Sequence, residues 1–166
     1  MRLNAFLFLI ACGLAIPVAS ADDEEFTKYG IFAKTAPRPA ACPPGRTGLP
    51  LELRPGDRIC LVGNTLLERA QLFGHFPAVL HAGFPEHKLV IRNLAWSADE
   101  IGLAPRPANF ADNDQHLVRF QADVIFAAYG FNESFAGPEG LGEFRQKLSS
   151  FLRELASKAY NGRTPP

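Results

Sequence analysis

Cysteine is scarce in this chain. There are three, Cys12, Cys42 and Cys60, and no C-x-x-C or C-x-x-C-H run, so neither a zinc ribbon nor covalently attached haem is supported. Charge of one sign is lacking too. The 17 basic and 17 acidic residues balance, with no basic cluster, and this argues against nucleic acid as a partner. Neither G-x-x-x-x-G-K-[ST] nor G-x-G-x-x-G occurs, which weakens a phosphate- or dinucleotide-cradling turn. Internal repeats and low-complexity tracts are absent. What remains is ordinary globular composition, 47% apolar and 20% charged, at a length that fits one domain.

The one long apolar run lies at the amino end. Arg2 precedes the apolar stretch 5–18, which falls short of the roughly 20 residues of a membrane span. Ala19-Ser20-Ala21 then forms a small-x-small site before Asp22-Asp23-Glu24-Glu25. This pattern reads as a secretory signal peptide over 1–21. The mature chain is expected to begin at Asp22 and to be secreted or periplasmic. Leu9-Ile10-Ala11-Cys12 imitates a lipobox, but the apolar run continues past Cys12, which disfavours a lipoprotein anchor. Cys42 and Cys60 remain after cleavage. Export permits a disulfide, whereas Cys60, in mid-strand, suits a small buried hydrophobe; the unpaired reading is favoured.

Residues 22–54 form a Pro-rich, extended lead-in, with Leu51-Glu52-Leu53 alternating as an edge strand. The domain proper is expected over 55–166. Ile59-Cys60-Leu61-Val62 is a continuous apolar run, as in a strand covered on both faces. Gly63-Asn64-Thr65 breaks it, and a helix starts at Thr65 with Leu66, Leu67, Ala70 and Phe73 on one face. Gly74 interrupts this helix and a short one restarts at Phe76. Residues 88–93 are the second strand. A long connection follows, then a short helix capped by Asp114 and a third strand over 122–128. Leu141, Phe144, Leu148, Phe151, Leu152 and Leu155 recur at helical spacing, and Asn161-Gly162 ends that helix. Strand, helix and strand in this order make a right-handed parallel unit. The class is therefore α/β, a flavodoxin-like three-layer α/β/α parallel sheet, incomplete with about three core strands.

Each strand ends in a polar segment, and in a parallel sheet all three ends share one edge, where open α/β sheets bind ligands. Topology alone thus gathers Asn64, Thr65, Ser97, Asp99, Asn132 and Glu133 around one cleft.

The ordered blocks Gly63-Asn64-Thr65-Leu66, Asn93-Leu94-Ala95-Trp96-Ser97-Ala98-Asp99 and Gly130-Phe131-Asn132-Glu133 resemble those of the SGNH, or GDSL-type, hydrolases, over about 57–160. The resemblance implies ester hydrolysis by acyl transfer, carbohydrate acetyl esters included, without metal or organic cofactor. It places Thr65 at the nucleophile and Asn64 where the family has aspartate. The oxyanion hole would use the N–H groups of Thr65 and Ala98 and the Asn132 amide. Ser97, Asp99, Glu133 and Trp96 would line the cleft, and the ligand would be a small-molecule or carbohydrate ester.

The chain departs from the family in carrying threonine for serine, Ala98 for glycine, and no D-x-x-H block after the third strand. Asp112, Asp114 and His116 have the wrong spacing and precede the third block; His75, His81 and His87 lie elsewhere. A catalytically incomplete relic or binding module is the alternative. Plainer roles stay open as well: Thr65 as a helix cap, Asn64 and Asn132 as turn formers, and Ser97 and Asp99 as loop organisers. Trp96 could simply cover the sheet edge, and Glu133 could be a cap or an orienter. Three strands would leave the outer faces of the last helix and third strand uncovered, so a homo-oligomer or a longer natural chain is expected.

Overall fold

A computed structural model describes residues 28–46 and 48–166. The expected signal peptide, the lipobox at Cys12 and the start of the mature chain at Asp22 lie outside these residues.

The chain is mixed α/β around a three-stranded parallel sheet. In chain order its elements are β1 (Ala40–Ala41), β2 (Arg58–Gly63), α1 (Thr65–Ala70), α2 (His75–Gly83), β3 (Val90–Asn93), α3 (Asn113–Phe120), β4 (Val124–Ala128), α4 (Leu141–Ala156) and β5 (Lys158–Ala159). Short 3-10 turns occupy Pro85–His87, Glu133–Ala136 and Pro138–Gly140. The parallel sheet runs β3-β2-β4, with Ile59 opposite both Ile91 and Val124. Strand β2 is central because its residues 59–62 are apolar without interruption, and all four are buried. Alternation along an extended chain sends them to two faces. Ile59 and Leu61 pack with Leu67 of α1, Leu80 of α2 and Leu89. Cys60 and Val62 pack with Leu117 of α3, Leu155 of α4 and Tyr160. Helices therefore cover both faces, each buried large apolar side chain contributing roughly 1.5–3 kcal/mol.

Several boundaries differ from the sequence reading. The Leu51-Glu52-Leu53 segment is not a strand; no ladder forms there. Lys88 takes φ 52° and Leu89 precedes β3, so the second strand starts at Val90. The third starts at Val124, after Ala122 and Asp123 have left α3. Helix α1 stops at Ala70, leaving Phe73 at 73% and Leu66 at 70% exposure; of the expected apolar face, Leu67 joins the core cluster. The cap of α3 is Asp112, in a capping box with Gln115, where two orphan donors are satisfied reciprocally. Asp114 instead accepts from Lys158 Nζ and Tyr160 Oη, both at 2.6 Å.

The carboxyl end shows an element that local patterning missed. Helix α4 ends at Ala156, before Asn161-Gly162, and β5 pairs antiparallel with β1. The lead-in is thereby tied to the domain. Gln115 Nε2 reinforces the tie by donating to the carbonyls of Ala33 and Ala36 at 2.9 and 2.7 Å. Cys42 and Cys60 are both free thiols, and burial pushes the Cys60 thiol up to about 12. Among the described residues no helix is long and apolar enough to cross a membrane. On the outer surface, Leu141 and Leu152 of α4 and Phe131 and Phe135 after β4 are about half exposed or more.

Candidate functional site

The three strand ends do meet. At the end of β2, Gly63 takes φ 142°, and a Cβ there would collide with the carbonyl of Ala128 at the end of β4. The missing side chain lets the two strand ends close up, and Asn64 N donates to Ala128 O at 3.1 Å. The end of β3 is drawn in by Trp96 N, which donates to Gly63 O at 3.0 Å. Asn93 holds the return of the chain: its Nδ2 donates to Leu67 O at 2.6 Å and its Oδ1 accepts from Ala95 N.

Thr65 is the first residue of α1, not its cap. Asn64 occupies the cap position but makes no side-chain cap bond. Asn64 is 1% exposed, and its Nδ2 is buried with no hydrogen-bond partner among the described residues. The Thr65 hydroxyl donates to the carbonyl of Ser97 at 3.1 Å. The Asn132 amide donates to the same carbonyl at 3.1 Å and to Asp99 O at 3.3 Å. The Ser97 hydroxyl donates to Glu68 Oε2 at 3.0 Å. Thr65, Ser97 and Asn132 thus share one cluster, with Glu68 as a member that the sequence reading missed. The N–H groups of Thr65 and Ala98 make no hydrogen bond among the described residues.

Asp99 and Glu133 take structural posts. Asp99 is 1% exposed and receives two bonds from Arg106, at 2.7 and 2.8 Å. Arg106 also stacks on Trp96, 4.2 Å from the ring centroid. Glu133 accepts from Gly130 N at 2.9 Å and Ile101 N at 3.0 Å. Both its oxygens are used, so it orients the loop after β3 against the end of β4, while the turn Glu133–Ala136 has no side-chain cap bond. Tyr129 lies close to both carboxylates; burial first, then Asp99 and Glu133, push its phenol up to about 12.

Beside this cluster opens a cavity of about 480 Å³, reached from the end of β3 at Asn93 and Leu94. Trp96, Arg106, Phe110 and His116 line it. The spacing of His116 does not fit the family's D-x-x-H block, yet it faces this cavity. Burial, then the charges of Arg119 and Arg106, lower its pKa from 6.5. Arg106, Phe110 and Arg119 also escaped the sequence reading, because no spacing rule links residues that come from a long loop and a later helix. Neither a protein-family model, nor a curated protein sequence, nor a solved structure matches this chain.

Proposed function

We propose that this chain is an SGNH-hydrolase-like α/β domain that binds a ligand at the carboxyl edge of its sheet without turning it over. The strand order β3-β2-β4 supports the resemblance, since it matches the 2-1-3 start of that family's sheet. One observation carries the binding reading. The proton of Thr65 is directed at the carbonyl of Ser97, and the amide of Asn132 is directed at the same atom. A hydroxyl nucleophile needs a base within hydrogen-bond reach to take its proton. Among the described residues neither histidine nor carboxylate accepts from Thr65. With the export pattern of residues 1–21, the ligand would be met outside the cytoplasm.

A second reading is ester hydrolysis with Thr65 attacking the carbonyl, an acetylated carbohydrate included. The unbonded N–H groups of Thr65 and Ala98 favour it, as two donors of an oxyanion hole. Hydrolysis of a simple acetyl ester by the folded chain, run beside Thr65→Ala, separates the two. The binding reading expects no turnover above buffer from either protein. Turnover by the wild type that Thr65→Ala abolishes would replace it with the hydrolase.

A further inference from the structure

The cavity beside Trp96 has a wall chemistry of its own. Thr65, Ser97 and Asn132 do not line it; its walls include Trp96, Phe110, Phe120 and His116, and its cations are Arg106 and Arg119. Among the described residues that line it there is no aspartate or glutamate.

The aromatic wall is held in place before any ligand arrives. Trp96 is 50% exposed, yet its ring is fixed on one side by the Arg106 guanidinium and meets the Phe110 ring edge-on, centroids 6.5 Å apart. Phe110 in turn lies 5.5 Å from the His116 ring. A rigid, half-exposed indole offers a ring-shaped body a stacking surface at little entropic cost.

The two cations differ. Arg106 is neutralised by its bidentate pair with Asp99. Arg119 makes no ion pair among the described residues. Its Nη1 lies against Gly30, where an added Cβ would come within 2.9 Å, so the guanidinium is seated on bare backbone. The carboxylates nearest in sequence are engaged elsewhere: Asp123 accepts from Arg58 N and Asn161 Nδ2, Asp114 from Lys158 and Tyr160, and Asp112 from Arg38 and within the capping box. Among the described residues, one guanidinium without an ion pair lines a cleft without carboxylates; this matches one negative charge, and its planar fork suits a carboxylate.

We propose that this cleft binds an organic monocarboxylate, with its ring-shaped body stacked on Trp96 and its carboxylate paired with Arg119. The proposal deepens the binding reading above by naming a ligand class.

Trp96 is the single tryptophan of the chain, so its fluorescence reports on this cleft alone. The experiment titrates the full chain with phenylacetate and with cyclohexylacetate, beside their neutral amides, by fluorescence and calorimetry. At least one acid should give a saturable response, at least tenfold tighter than its amide. In Arg119→Gln, with an unchanged circular dichroism spectrum, that preference should vanish. The proposal is overturned if neither acid gives saturable binding, or if amide and acid bind alike. It is also overturned if folded Arg119→Gln keeps the preference. The acid-against-amide comparison needs no variant, so it stands even where Arg119→Gln does not fold. Neither acid contains an ester, so this outcome is independent of whether the chain hydrolyses acetyl esters.

Discussion

The hydroxyl of Thr65 and the side-chain amide of Asn132 donate to one atom, the carbonyl oxygen of Ser97, each at 3.1 Å. Two strand ends are thereby joined through the loop that follows a third. Because the donors share an acceptor, losing either one leaves that carbonyl bonded. Thr65→Val and Asn132→Leu should each cost about 1 kcal/mol, the usual net worth of a hydrogen bond. The double variant should cost more than the sum by at least roughly 0.5 kcal/mol. Urea unfolding of the four proteins measures this coupling. Strict additivity would mean that the two bonds act independently.

The pair Asp99–Arg106 is a buried bidentate ion pair in the loop after β3. Asp99 and Arg106 side chains are 1% and 10% exposed. Removing the cation strands a buried carboxylate, so Arg106→Met should destabilise by about 3–5 kcal/mol. Asp99→Asn in that background should recover part of the loss. Arg106→Lys should not restore wild-type stability, since an ammonium cannot make the same fork. Midpoints of chemical unfolding decide the ranking.

Gly63 and Gly74 both have positive φ, 142° and 65°, yet they should respond differently to alanine. At Gly74 a Cβ meets nothing within 4 Å, and Gly74→Ala should cost on the order of 1 kcal/mol of backbone strain. At Gly63 the Cβ would collide with Ala128 O, forcing β2 and β4 apart at the site. Gly63→Ala should therefore fail to give a soluble folded chain, or melt far below Gly74→Ala in a thermal scan.

His116 should couple stability to pH. Burial is the main cause of its lowered pKa, followed by Arg119 and Arg106, against which Asp112 and the Ala111 backbone pull weakly upward. The unfolded chain then binds this proton more tightly than the folded one, so stability rises with pH across the window between the two values. The contribution is complete above 6.5 and is lost as the pH falls below it. The wild type should lose stability on acidification in that window more steeply than His116→Gln. Proton NMR of the His116 ring gives the sign directly, and a midpoint above 6.5 would contradict it.

The parallel core was legible in sequence. An uninterrupted apolar run at 59–62, two further runs rich in β-branched residues, and helical spacing from Leu141 to Leu155 each depend on local periodicity, which a chain carries without its neighbours. For the same reason parallel topology alone puts the three polar strand ends on one edge. Contacts between distant residues could not. Whether Asp99 faces solvent or Arg106 depends on how a long loop folds back, and no periodicity constrains that. The β1–β5 pairing joins segments more than a hundred residues apart, each too short to show alternation. Leu66 and Phe73 read as core from spacing alone, but α1 ends at Ala70 and both lie exposed. Sequence by itself determined the parallel sheet, the strand buried on both faces and the edge where the polar segments gather, because burial and helical or strand period are local properties. Only the tertiary structure decided which atoms in that gathering accept hydrogen bonds, because a hydrogen bond between Thr65 and Ser97, or Asn132 and Ser97, exists only once three separate strand ends have been brought together.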